Sequence, residues 1–196
     1  MSSNPPDPSA RPTTVRTTHL EITDPAAIVP ARAPAVGTVL ARLGAPAPEF
    51  VRFLYTAVGG DWHWRDRLPW SWTQWRDWLS RPGLETWWVA VDGAPAGWFE
   101  LDATSPPDVE IAYFGLLPAY FGRGLGGWLL EAALRRGFAL GRRVWVHTCT
   151  LDGPVALAHY QARGLVPYRV EESVLDLPSE PPGAWPGAHR PRSPAP

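Results

Sequence analysis

Residues 109–140 constrain this chain more than any other stretch. An apolar strand over 109–116 runs into a loop carrying Gly122, Gly124, Gly126 and Gly127. The loop opens into a helix over 123–140, with Gly141 just past its end. That helix sets Leu125, Trp128, Leu129, Leu130, Ala132, Ala133, Leu134 and Phe138 around most of its circumference, leaving a narrow polar stripe at Glu131 and Arg135. A helix this apolar has to be packed deeply. A further strand over 143–150 makes the unit a β-α-β crossover within one sheet.

The remaining elements fit around that unit. A half-exposed edge strand is expected over 15–23, and a Pro- and Ala-rich loop with a possible helical turn over 24–48. Phe50, Phe53, Leu54 and Ala57 repeat at helical spacing over 49–57, and Gly59-Gly60 ends that helix. Ser71 and Gln74 have capping-box spacing and open a second helix, with Trp72, Trp75, Trp78 and Leu79 on one face; Pro82-Gly83 stops it. Strands over 86–91 and 97–102 flank a turn at Asp92-Gly93-Ala94-Pro95. A helix over 154–163, with Pro154 at its first position, and a last strand over 166–175 complete the order β, helices, β-β-β, α, β, α, β. The expected fold class is α/β (α+β), with a mixed, mostly antiparallel central sheet and helices on both faces. Residues 1–14 and 178–196 are dominated by Pro, Ser and Thr and are expected as disordered tails around one domain at 15–177.

Composition removes several chemistries. All eighteen basic residues are Arg, so the lysine-dependent phosphate loop, Schiff bases and pyridoxal phosphate attachment have no residue to carry them. Against nineteen acidic residues the net charge is −1, which argues against coating nucleic acid or an anionic membrane. Cys149 stands alone, so there is neither an intramolecular disulfide nor a cysteine zinc cluster, and no metal site is expected. No apolar run is long enough to span a bilayer, and the first residues do not read as a signal peptide; a cytoplasmic protein is the expectation.

The glycine loop carries the chemistry. Closely spaced glycines let backbone N–H groups approach an anion, and the helix N-terminus adds positive partial charge. Pyrophosphate is the obvious guest, with Arg123 adding a side-chain charge. Residues 109–130 resemble the acetyl-CoA-binding motif of the GNAT superfamily of N-acetyltransferases, through the step Leu116-Leu117-Pro118 and then Gly124 and Gly126. Ala156, Tyr160, Gly164 and Leu165 resemble the family's later helix motif, in the correct order. The chain departs from the family at Phe121, where Gln or Arg is usual; at Thr150 and Asp152, where an Asn is often found; and at Leu165, where Phe is usual.

The resemblance implies acetyl transfer from acetyl-CoA, as co-substrate, to a primary amine of a small molecule or peptide by direct attack, in a monomer or homodimer without nucleic-acid or membrane partners. It implies that the strands around Leu116 and His147 splay, with cofactor contacts from Gly115, Leu116, Leu117, Phe121, Gly122, Arg123, Gly124, Leu125, Gly126, Gly127 and Thr150. Glu110 is the candidate general base, sharing by strand parity a face with Ala112 and Phe114; Glu100, Asp102 and Asp108 are its rivals. Tyr160 matches the family's general acid. His147 and His159 are further titratable candidates, read as packing residues, and Cys149 lacks a base partner for an acyl-enzyme route. Nine of the twelve Trp fall between Trp62 and Trp98. Trp62, His63, Trp64 and Trp72, with Trp75, are the candidate acceptor wall for an aromatic, sugar-like or cationic amine, and Asp61, Asp66 and Asp77 are candidates to recognise it. Two other classes stay open: a catalytically silent acyl-CoA-binding or regulatory module of the same fold, and a Trp-walled binding protein.

Overall fold

The computed structural model describes residues 10–188. Seven strands form one sheet: β1 (Arg11–Ile22), β2 (Thr38–Arg42), β3 (Leu84–Val91), β4 (Ala94–Ser105), β5 (Asp108–Leu116), β6 (Arg143–Cys149) and β7 (Val166–Leu177). Their order is β2-β3-β4-β5-β6-β1-β7. Every neighbouring pair is antiparallel except β5 and β6, the two strands joined by the crossover helix. The helices are α1 (Pro48–Gly59), α2 (Trp72–Leu79), α3 (Leu125–Leu140) and α4 (Ala156–Gln161).

The α3 side of the sheet holds the main core. Leu129, Leu130, Ala133 and Leu134 of α3 are fully buried against Val109, Ile111, Val144, Phe99 and Leu101. At about 1.5–3 kcal/mol for each large apolar side chain removed from water, this layer carries much of the stability. On the other face, α1 and α2 enclose Val51, Leu54, Tyr55, Val58, Trp75 and Trp98. Ser71 accepts from the Gln74 N–H while Gln74 Oε1 accepts from the Ser71 N–H, the reciprocal cap expected for α2.

Several expectations are corrected. The first strand is not an edge: β1 lies between β6 and β7, and β2 and β7 are the outer strands. Strand β2 has no clear pattern of its own and is held by its ladder to β3, from Thr38↔Val91 to Arg42↔Trp87. Residues 11–14, expected in a disordered tail, are strand, paired with residues 174–177. Beyond β7, the Gly183 N–H donates to the Gly60 carbonyl at 2.9 Å. Gly60 is required there, because a Cβ would stand 2.5 Å from the Gly183 carbonyl carbon. Physically, pairing with a distant partner offsets the ordering entropy that composition alone predicts to win. The outermost parts of both expected tails, 1–9 and 189–196, lie outside the described residues.

Candidate active site

Strands β5 and β6 pair over only three residues, Asp108↔Arg143, Val109↔Val144 and Glu110↔Trp145, and then separate. Beyond Glu110, β5 keeps β4 on one side, with Tyr113↔Glu100, Phe114↔Phe99, Gly115↔Trp98 and Leu116↔Gly97. Its other edge opens on a cleft of about 820 Å³. The cleft runs from the glycine loop before α3, past the splay, to the segment joining α1 and α2.

At the loop end, Gly122, Gly124, Gly126 and Gly127 line the cleft, with Phe121, Gly115 and Leu116 beside them. Gly124 caps α3 with φ +78°, a left-handed conformation that glycine adopts without strain, and supplies no side-chain cap. The first N–H groups of α3 therefore have no partner from a capping side chain, an arrangement that suits an anion. Four expected cofactor residues stand off the wall. The Leu117 N–H already donates to the Ala96 carbonyl at 2.8 Å. Leu125 is buried in the core. The Arg123 guanidinium lies 5.4 Å from the Tyr120 ring centroid. Thr150 Oγ1 accepts from the Arg16 N–H at 3.2 Å. For Leu117, Leu125 and Thr150 the hydrogen-bonding or apolar demand is met elsewhere.

Tyr160, on α4, lines the cleft from the α3 side and is 8% exposed. Burial, reinforced by the negative charge of Asp152, pushes its phenol well above the ordinary range, so the hydroxyl keeps its proton. His159, beside Phe114 and Tyr160, has a buried Nε2 without a partner, and burial and then Arg163 push its pKa down.

A bulge decides which side chains face the end of the cleft away from the glycine loop. Glu100 pairs with Tyr113 and the next residue, Leu101, with Ile111, so Ala112 is an extra residue in β5. Glu110 consequently shares its face with Tyr113 and Gly115, not with Phe114 as unbroken alternation predicts. Phe114 turns to the α4 side, against Tyr160. Glu110 Oε1 lies 3.4 Å from His147 Nδ1, and both residues line the cleft. The bond to Glu110 is the main cause that raises the His147 pKa.

The rival carboxylates are committed elsewhere. Glu100 is fully buried and accepts two bonds from Arg67, at 2.8 and 3.2 Å, and one from Trp78 Nε1 at 3.1 Å. Asp102 is partly buried, which alone would raise its pKa, but bonds from Thr104 and from Arg81 at 2.6 Å hold it below its ordinary value. Asp108 pairs with Arg143 at 2.6 Å.

The far end of the cleft takes its wall from the segment after α1. Trp62, His63 and Trp64 line it. Trp62 reaches across the cleft: a Cβ on Gly153, in the loop after β6, would lie 3.5 Å from its ring. His63 sits at φ +59°, a strained backbone for a residue other than glycine. Trp72 is not part of the wall; it is 53% exposed and its Nε1 donates to Glu49 at 2.8 Å. Trp75 is buried in the core, and Asp77 pairs with Arg76 on the surface. The sequence did not point to Arg67, Trp70 or Tyr113, and placed Trp78 only on a helix face; the fold adds all four to the wall. The density of Trp around them was the available signal, but spacing does not say which indoles turn inward.

Comparison with known proteins yields a family and a fold. Residues 50–165, more than half of the chain, match the model of the "Acetyltransferase (GNAT) family". No curated protein matches the sequence. Among solved structures, the chain is similar to a GCN5-related N-acetyltransferase from Kribbella flavida, at 19% identity and TM-score 0.60, over 82% of this chain and 58% of that one. It is similar to a GCN5-related N-acetyltransferase from Sphaerobacter thermophilus, at 16% identity and TM-score 0.61, over 89% of this chain and 56% of that one. It is also similar to the ribosomal-protein-S18-alanine N-acetyltransferase from Escherichia coli, at 16% identity and TM-score 0.50, over 65% of this chain and 76% of that one. This chain thus spans little more than half of the first two proteins.

Proposed function

Because the chain belongs to the acetyltransferase (GNAT) family, we propose that it transfers an acetyl group from acetyl-CoA directly to a primary amine of a small molecule or peptide. The observation that carries this reading is the splay of β5 from β6, which leaves one edge of β5 without a strand and aims it at a cleft that ends on the glycine loop of α3. An unpaired strand edge takes up amide groups by adding a strand, and an uncapped helix N-terminus takes up phosphate, so the residues present fit a pantetheine arm and a pyrophosphate. When bound, acetyl-CoA supplies the thioester as acyl donor.

The chain's own groups have distinct tasks. An ammonium cannot attack a carbonyl until it loses a proton, and Glu110, beside the splay of β5 from β6, is the carboxylate placed to take it. His147, 3.4 Å away, orients that carboxylate and balances its charge. A backbone N–H of β5 at the splay polarises the acyl oxygen. Tyr160, kept protonated by burial, holds the proton that the departing thiolate takes from its Oη. No step needs an enzyme nucleophile, and Cys149, whose thiol burial pushes up, is unsuited to be one.

The test combines binding and turnover. Acetyl-CoA at millimolar concentration is expected to raise the melting temperature by mass action, and Gly124→Glu to abolish the rise by setting bulk and negative charge at the head of α3. Thiol release with a panel of amines then separates transfer from a silent acyl-CoA-binding module. Unchanged melting with acetyl-CoA would overturn the proposal.

A further inference from the structure

The acceptor wall has already paired most of its charges. Arg67, 3% exposed, is bonded twice to Glu100, and its guanidinium lies 4.2 and 4.3 Å from the ring centroids of Tyr113 and Trp78. Asp102 faces Arg81 and Glu110 faces His147. Asp66 is different. Its two oxygens accept from the hydroxyls of Tyr55, at 2.7 Å, and Tyr113. Burial, first of all, pushes both phenols above the ordinary range, so both remain neutral donors. Hydroxyls position a carboxylate without neutralising it. Among the described residues no basic side chain makes an ion pair with Asp66, which lines the cleft and is open to solvent there.

This arrangement discriminates between guests. Any acceptor seated on the wall displaces water from Asp66, on which the charges of Arg67 and His147 act only without direct contact, and desolvating a carboxylate that has no ion partner is costly. A cationic guest removes that cost, and a neutral one does not. The wall's other charged groups are paired with one another or with Arg81 and His147, while Trp62 and Trp64, which line the cleft, supply indole surface suited to a ring and to a cation. We infer that Asp66 makes this site selective for an arylalkylamine-type acceptor: a compact amine that enters as the ammonium, its charge facing Asp66 and its aromatic body against the indoles of Trp62 and Trp64. This names the acceptor class within the acetyl-transfer reading and rests on it for the fate of the amine.

The test reads binding through tryptophan fluorescence, without acetyl-CoA, using 2-phenylethylamine, its uncharged counterpart 2-phenylethanol, glucosamine and a dipeptide with a free amino group. At pH 7 the amine is expected to bind about tenfold or more tighter than the alcohol, the scale of a charge placed beside a carboxylate and an aromatic face. In Asp66→Asn, whose single Oδ1 keeps one tyrosine hydroxyl as donor while the other hydroxyl can turn to accept from the new amide, that preference should vanish, with the amine bound more weakly and the alcohol no more weakly than by wild type. Equal affinity of wild-type protein for amine and alcohol overturns the inference, as does tighter binding of glucosamine or the dipeptide; neither comparison depends on the variant's folding. Acetyl-CoA does not enter this assay. Its failure to stabilise the protein would count against acyl transfer alone, and failure of the amine to outbind the alcohol would count against the acceptor class alone.

Discussion

Glu110 and Tyr160 stand on opposite sides of the splay, and their chemistry predicts opposite responses to pH. Glu110→Gln is expected to lower turnover at neutral pH by about 10²–10⁴-fold, the usual contribution of a positioned base. Rising pH should restore part of that loss, because more amine is then neutral without help. Tyr160→Phe should lower turnover with no recovery at high pH, since what it lacks is a proton donor. Steady-state turnover across pH for both variants checks this, and full activity of Glu110→Gln throughout would remove it from the mechanism. His147 adds a stability signature. Its pKa is raised above its ordinary 6.5, chiefly by the bond to Glu110. The stabilisation from that pair is therefore fully present below about pH 6.5 and is lost as pH rises through the folded-state value. Chemical denaturation of wild type and His147→Gln should show a gap that is widest in mild acid and closes in base.

At the scale of elements, a single inserted residue sets which side chains of β5 face the cleft, and a single ion cluster ties α3 to the sheet. Without the bulge at Ala112, β5 would alternate unbroken, and Tyr113 and Gly115 would turn from the α1 side to the α3 side. Deleting Ala112 is expected to lower the melting temperature sharply and abolish turnover, whereas Ala112→Ser should be tolerated; a deletion variant with native melting would refute the role given to the bulge. At the far side of the sheet, Glu85 of β3 accepts two bonds from Arg136 of α3, at 2.6 and 2.8 Å, and others from Arg42 of β2 and Trp87. The Arg136 bonds, first among these, push its pKa down to about 2. A depressed carboxylate stabilises fully above its ordinary 4.5, and that contribution is lost as pH falls toward 2. Arg136→Ala should cost about 1–3 kcal/mol near neutrality, with the difference shrinking as the solution is acidified.

The whole molecule closes on itself through its C-terminal segment. From β7 the chain returns to the end of α1, where Gly183 bonds to Gly60, immediately before the loop that carries Trp62, His63 and Trp64. That contact lies at the start of the loop proposed to wall the acceptor, away from the glycine loop at the other end of the cleft. A chain ending at Leu177 is therefore expected to show a severalfold higher KM for the amine, with the stabilisation by acetyl-CoA retained. Equal amine KM in the shortened and full chains would show that the loop holds its shape alone.

Periodicity and punctuation are local, and they were legible. The capping box at Ser71, the turn at Asp92-Gly93, the apolar circumference of α3 and the glycines before it each act within a few residues, so the element order apart from β2, the crossover and the glycine loop at one end of the cleft could be read before any contact was known. The rest depends on partners far apart in sequence. Strand β2 exists because β3 offers it a ladder, and residues 11–14 are ordered because β7 pairs with them. The bulge that turns Glu110 toward Tyr113 is a mismatch between β4 and β5, so neither strand's own alternation reveals it. Trp72 and Trp62 look alike in the sequence. One bonds Glu49 on the surface and the other reaches over Gly153, because the packing of α1 and α2 on the sheet assigns each indole its side. Local sequence sets the conformational preference of each segment, but the face a side chain presents is decided by which distant surface it buries, and that is a property of the assembled fold.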